Sequence, residues 1–385
     1  MSYRAVVAVG LIVLAGTVSI AGVGGAAGSH CSFPVSMTDT TGAEVTVEEE
    51  PERVVTLAPS AAQTMWEIGA KGKVVGVSKF AGYLDGASEK RNISGGETAV
   101  VAEKVVDEGP DLVIAPNVIR NDTVDQLRNA GLTVYRFEET TSIDGVYETV
   151  ELIGRLTGAC DGAEETVTDM RDRIETVERA VEGQERPDVL YTFFGFTAGS
   201  ETFVHEILET AGGNNVAADA NISSYREISE EVVVERDPDW IVLNSDNPAP
   251  PGGPAYENTT ALRENQTVVV RAEHISQPAP RIVRAITKLT RAFHPDAYAT
   301  ANATPTEAVT ESMGSTATPT SSATATGSST DTSVGTGGDM SSSNATVDES
   351  VVTTTPTETP GQPGFGVLLA VLALVAAPLA ARARS

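Results

Sequence analysis

Several short segments combine aromatic rings, amides and glycine in a way that suits holding a ligand rather than making or breaking bonds. Lys79-Phe80 and Tyr83 follow one apolar run, Pro116-Asn117 another, Phe194-Gly195-Phe196 a third and Asn244-Ser245-Asp246-Asn247 a fourth. Ala58-Pro59-Ser60 opens a helix after a fifth run, and a helix start offers backbone N–H donors. Rings pack on the faces of a flat, partly apolar ligand, and amides fix its orientation. Tyr225, in a polar loop, extends the set, while Tyr191 and Phe193 stand evenly between core and ligand face. Catalysis finds little support. His205, His274 and His294 are scattered, with neither His-Glu-x-x-His spacing nor a Gly-x-Ser-x-Gly elbow. A bare metal-ion receptor would want clustered His and carboxylates, which the spacing does not supply. The expectation is therefore a binding protein with no catalytic residue and no metal site.

Alternating strands and helices must position these segments. Apolar strands are expected at 53–57, 74–77, 111–115 and 132–137, with helices at 58–68, 101–108 and 123–130 between them. That order means a parallel sheet with helices packed on it. It then recurs, with strands at 189–193 and 240–243 and a helix at 202–210. Residues 232–243 echo 104–115 at an offset of 128, pairing Val105 with Val233, Val106 with Val234, Pro110 with Pro238 and Asp111 with Asp239. Residues 143–185 between the two copies carry helical apolar spacing and i,i+4 charge pairs such as Glu175 with Arg179. The expected fold class is α/β, with two Rossmann-like lobes built on central parallel sheets and joined by one long rigid helix. The lobes are bounded at 29–142 and 186–298. Ligands of such sheets sit beyond the carboxyl ends of the strands, where the aromatic and amide segments fall.

The chain's ends place it outside the cell. Residues 1–28 read as a secretion signal, with Arg4, an apolar run and small residues before the cleavage zone. Residues 299–362 are Thr, Ser, Ala, Gly and Pro, with seven acids and no Lys or Arg. Such a stretch cannot bury enough apolar surface to order itself, and it reads as a disordered, glycosylated stalk. Residues 363–385 hold Pro-Gly-Phe, an apolar run to Ala381 and a basic end. That run spans about 25 Å as a helix, just short of a hydrocarbon core. Asn92, Asn121, Asn221, Asn258, Asn265, Asn302 and Asn344 head Asn-x-Ser/Thr acceptor sites. Outside the cell the two cysteines, Cys31 and Cys160, favour a disulfide, with two unpaired thiols as the other reading.

Charge agrees with this placement. The 385 residues hold 53 acids and 26 bases, a net charge of −27. A nucleic-acid binder would need a basic footprint. Six Lys stand against twenty Arg, and 46 of the acids lie in residues 31–298. Such a surface stays hydrated in concentrated salt, as in salt-loving sources, although an ordinary acidic protein is the plainer alternative.

Residues 33–297 resemble substrate-binding proteins of ATP-driven importers, of the class joined by a long helix that carries cobalamin, iron–siderophores and haem. The likeness rests on Phe33-Pro34-Val35 through Asp39 and Gly42, Leu57-Ala58-Pro59-Ser60, Val75-Gly76-Val77-Ser78, Pro110-Asp111-Leu112-Val113-Ile114 and Ala211-Gly212-Gly213-Asn214-Asn215-Val216. Val77–Tyr83, Phe194-Gly195, Ser224–Ser229 and Ala279–Ile282 are similar to the ligand-lining segments of the vitamin B12-binding members. The resemblance implies that Pro59, Ser60, Phe80, Tyr83, Asn117, Phe194, Gly195, Tyr225, Asn244, Asp246 and Gln277 face cobalamin, with ferric siderophore or haem as the alternative. Cobalamin is then cargo, and no cofactor is implied. The resemblance further implies a monomer that docks on an importer permease and its ATPase through a Glu on the first helix of each lobe. Glu206 matches that position in the second lobe. In the first lobe Gln63 stands there, and Glu67 is the substitute one turn later. The C-terminal segment resembles an archaeal sorting signal, which implies a sorting enzyme that exchanges the tail for a lipid anchor at the outer face of the cell membrane, with a retained C-terminal membrane helix as the other reading.

Overall fold

A computed structural model describes residues 31–96 and 98–303. The expected leader, the stalk beyond residue 303, the sorting segment and Asn344 lie outside the described residues. The other six acceptor asparagines, Asn92, Asn121, Asn221, Asn258, Asn265 and Asn302, are all exposed.

The duplication is visible in the sheets. The first lobe orders its five parallel strands Arg91–Asn92, Val74–Val77, Val54–Thr56, Leu112–Ala115 and Val134–Arg136. The second orders four, Asn214–Asn215, Asp188–Thr192, Trp240–Asn244 and Thr267–Val270. In both, the chain starts centrally, steps to one side, crosses to the other side of its first strand and continues outward. In sheets of this order, the carboxyl ends of the strands beside such a reversal are where a ligand crevice is expected.

The repeated Pro-Asp has a structural reason. Asp111 Oδ2 accepts from the amides of Glu52 and Arg53 at 2.9 and 2.8 Å, and the Asp111 amide donates to the Arg53 carbonyl at 2.8 Å. Asp239 does the same with Asp188, at 2.8 Å in each direction. The echoed Asp pins the start of the strand across the reversal, Leu112–Ala115 or Trp240–Asn244, to the start of the first strand beside it. Leu112–Ala115 is buried at all four positions, as a strand covered by helices on both faces should be.

The connecting segment is two helices. Ile143–Thr157 is capped by Ser142, whose Oγ accepts from the Gly145 amide at 3.0 Å. It stops at Gly158, where φ of 74° suits glycine. Cys160–Val181 then runs for 22 residues, about 33 Å. It buries Ala163, Val167, Met170, Ile174, Val177 and Ala180, one face at helical spacing. That stripe belongs to a single apolar core that also takes Met65 and Ile68 from the first lobe and Leu208 and Val242 from the second. Separate clusters lie under the outer helices of each lobe. A joint built into a shared core does not swing freely.

A hairpin of Val35–Thr38 and Glu44–Val47 precedes the parallel sheet of the first lobe. Cys31, just before it, is bonded to Cys160 at the head of the connecting helix, with Cα atoms 5.7 Å apart. The final helix, Pro295–Ala303, buries Tyr298 and Ala301 and carries the folded body past residue 298.

Candidate ligand-binding cleft

In the second lobe the central strand ends in a tight hairpin. Phe193 and Phe196 exchange backbone hydrogen bonds of 3.0 and 2.9 Å across Phe194 and Gly195. Those two residues have φ of 48° and 83°. Positive values at both central positions are the signature of a type I′ turn, which is costly for a bulky residue such as Phe194. Asn247 Oδ1 accepts the Phe194 amide at 3.0 Å and holds the turn. Phe194 is 40% exposed at the carboxyl end of the strand.

Behind it the rings turn inward. Tyr191 and Phe193 are buried 5.4 Å apart and belong to the core. Tyr225 sets its edge against Phe193 at 6.1 Å, and burial pushes its hydroxyl far above the usual tyrosine range, with Tyr191 and Glu139 of the first lobe adding to the effect. Tyr225 therefore sits at the lobe boundary, backed by the core. Asn244 does not face the crevice. It is buried, its Nδ2 donates to the Tyr191 hydroxyl at 3.1 Å, and its Oδ1 accepts from the amides of Asp246 and Asn247, both at 3.0 Å. Its role is to shape the loop that carries Asn247. Asp246 reaches the surface, and partial desolvation of its carboxyl together with the charge of Glu273 raises its pKa.

In the first lobe Pro59 opens the helix Pro59–Glu67 behind Ala58, which supplies no capping side chain. Pro59, Ser60, Phe80 and Asn117 are half-buried at the strand ends. Lys79 Nζ lies 5.1 Å from the Phe80 ring centre and donates to the Gly96 carbonyl at 2.7 Å, so the ring is held under a cation. The Asn117 carbonyl accepts from Arg136 at 2.8 Å, and beside it Val118 is 44% exposed. Val118 escaped the sequence reading because nothing distinguishes one loop valine from another before the strand end is placed.

The lobes meet at Gln63. Its side chain is fully buried, its Nε2 donates to the Tyr83 hydroxyl at 2.9 Å and the Glu273 carbonyl at 3.1 Å, and its Oε1 accepts the Arg281 amide at 2.8 Å. The Tyr83 hydroxyl in turn donates to Gln277 Oε1 at 2.8 Å, and burial pushes its pKa to about 12. Tyr83 and Gln277 thus meet across the lobes. Glu67 accepts from Arg281 Nε at 2.7 Å, and Glu206 accepts from the Ile143 amide at 3.0 Å. Burial raises the Glu206 pKa, against the lowering effect of that amide.

Gln63 is the right residue here because it both donates and accepts; a carboxylate cannot donate. Gln63→Glu should therefore lower stability by roughly 1–3 kcal/mol, from unmet bonds to Tyr83 and the Glu273 carbonyl. Denaturant unfolding at neutral pH checks this, and an unchanged midpoint would contradict it.

The histidines have local roles. His205 Nδ1 pairs with Asn215 at 3.2 Å, His294 Nε2 with the Gly212 carbonyl at 3.0 Å, and burial drives the His274 pKa down to about 4. Among the described residues, no group of three or more His, Cys, Asp or Glu is placed to hold a metal ion.

Residues 54–273 match the family model described as periplasmic binding protein. The chain belongs to the periplasmic binding protein family. It is 48% identical over 279 residues to a protein of Halobacterium salinarum named cobalamin-binding protein, covering 69% of this chain and 75% of that one. A Vibrio parahaemolyticus protein named vitamin B12-binding protein is 24% identical over 256 residues, covering 65% and 92%. Among solved structures, the apo periplasmic haem-binding protein RhuT from Roseiflexus matches with a TM-score of 0.58 and 26% identity, covering 64% of this chain and 99% of that one. The haem-binding protein HmuT matches in fold, with a TM-score of 0.60 at 20% identity and coverage of 69% and 92%. Family members of this kind bind and carry a ligand for transport.

Proposed function

We propose that this chain captures cobalamin between its two lobes and delivers it to an importer permease driven by an ATPase, while tethered to the outer face of the cell membrane. The observation that carries the reading is the 48% identity, across both lobes, to a Halobacterium salinarum protein named for cobalamin binding. The chemistry is compatible. A corrin is a broad plate fringed with amides, and the strand ends offer Phe80, Phe194, Asn117 and Asn247 around the crevice. In this reading residues 1–28 are removed on export, lobes 29–142 and 186–298 hold the ligand, and 143–185 connects them. The stalk, expected from residue 299, begins after the helix that ends at Ala303 and runs to 362, and 363–385 is the segment a sorting enzyme processes. The protein works as a monomer without a cofactor. The likeness to haem-binding structures favours haem or a ferric siderophore as the second reading. Haem would need an axial side chain, and the strongest candidate, the Tyr225 hydroxyl, is drawn into the core against Phe193.

The test is titration of the protein in molar salt with cyanocobalamin, haem and a ferric siderophore, followed by absorbance and calorimetry. Saturable binding of cyanocobalamin is expected. Phe80→Ala and Phe194→Ala should each weaken it by roughly 0.5–1.5 kcal/mol beyond lost area, the worth of a ring-stacking contact. Saturation by haem or siderophore without cobalamin binding would overturn the reading.

A further inference from the structure

The two lobes also hold each other directly. In each lobe, the first helix after the first strand carries a carboxylate, Glu67 on Pro59–Glu67 and Glu206 on Phe203–Thr210. Each is answered from the other side of the molecule. Glu67 accepts from Arg281 at 2.7 Å and Arg284 at 3.4 Å, both on the second lobe. Glu206 accepts at 3.0 Å from Ile143, the first residue of the helix that leaves the first lobe. Beside the Glu67 pair, Gln63 and Tyr83 bond directly to Glu273, Gln277 and Arg281.

We infer that these groups form a two-point brace that sets the angle between the lobes, and that Glu67 and Glu206 are its release points. The two points are apart in the fold. One lies where the end of the first helix meets the connecting helix, with Thr166 Oγ1 donating to the Glu67 carbonyl at 3.2 Å. The other caps the start of the helix Ile143–Thr157. A single contact allows rotation about itself, whereas two separated contacts resist it. Bonds to a charged acceptor are also the stronger class. Partial burial preserves them in salt: the Glu67 and Arg281 side chains are 23% and 17% exposed.

Both carboxylates still reach the surface. A partner that presents guanidinium groups competes for the same oxygens that hold the brace. Seating such a partner and loosening the cleft are then one event, with no separate trigger. This inference rests on the reading of the chain as a docking ligand carrier.

The test uses the whole protein in molar salt, with Glu67→Ala, Glu206→Ala, the double variant and Glu206→Gln, which keeps an acceptor oxygen. Amide hydrogen exchange and small-angle scattering need no ligand, so they judge the brace even if cobalamin is the wrong cargo. Expected are at least tenfold faster exchange at Ile143 in Glu206→Ala, little change in Glu206→Gln, and a larger radius of gyration in the double variant. Cyanocobalamin should leave the double variant at least tenfold faster. Exchange within twofold of the parent at Ile143 and Arg281 would overturn the brace. Faster exchange with unchanged scattering would overturn it too, reducing both contacts to local caps. Should the double variant fail to fold, the single variants Arg281→Gln and Glu206→Ala at the same two readouts decide the matter.

Discussion

Replacing Asp39 by alanine is expected to remove about 3–5 kcal/mol of stability, the cost of leaving a buried ion pair half made. The Asp39 side chain is wholly buried, and Arg128 is 22% exposed against it. Oδ1 accepts from the amide and hydroxyl of Thr41, at 2.9 and 2.6 Å, and from the Ala43 amide at 3.3 Å. Oδ2 accepts from Arg128 and from the Arg136 amide, the latter at 3.0 Å. One carboxylate thus shapes the turn of the N-terminal hairpin and fastens it to the edge strand Val134–Arg136. Burial alone would raise its pKa; the hydrogen bonds from Thr41, Arg136 and Arg128 outweigh it and hold the carboxyl below the ordinary aspartate value. A depressed folded pKa fixes the sign. The contribution is full above the unfolded aspartate value, about 3.9, and is lost as pH falls through the folded value. Denaturant unfolding of parent and variant, at neutral pH and near pH 3 in the same salt, measures both effects. The gap between them should narrow on acidification. A gap under 1 kcal/mol at neutral pH, or one that widens in acid, would refute the assignment.

The same residue shows what the sequence could and could not reveal. Asp39 and Gly42 stood out only as part of a family likeness, because five hydrogen bonds to residues as distant as Arg136 leave no periodic trace. The two-lobe plan was legible for the opposite reason. Pro110-Asp111 and Pro238-Asp239 do the same job at equivalent strand starts, so the repeat survives as letters. Apolar runs also marked the central strands to within a residue or two, since a strand covered on both faces must be apolar throughout. The site was legible by segment but not by side chain. Asn244 ends one central strand of the second lobe and Phe194 follows another, yet one turns inward to Tyr191 while the other is forced outward by a turn with two positive φ values. Gln63 looked like a departure from a docking pattern. Besides Tyr83, its partners Glu273 and Arg281 are more than two hundred residues away in sequence, and only the packed lobes bring them to it.

Breaking the Cys31–Cys160 bond should have the other large effect. The cysteines are 129 residues apart, and the bond closes a loop that contains the hairpin and the entire first sheet. In the chain-entropy model such a closure is worth about 5 kcal/mol, because it removes open conformations from the unfolded chain. The second lobe lies outside the loop, but the core stripe of Cys160–Val181 runs through both lobes. Loss of the bond should therefore lower one cooperative transition rather than split it. With the size of the folded body, a loss of that order corresponds to a drop of roughly 10 °C in Tm. Calorimetry in molar salt, with and without reductant, reads it directly. Cys31→Ser, Cys160→Ser and the double variant should agree with one another and with reduction, since each removes the same single constraint. Effects of the two single variants that add in the double would mean that each serine disturbs its own site instead. A reductant shift below 2 °C would mean that the unfolded chain stays compact enough, through its N-terminal segment, to make the closure nearly free.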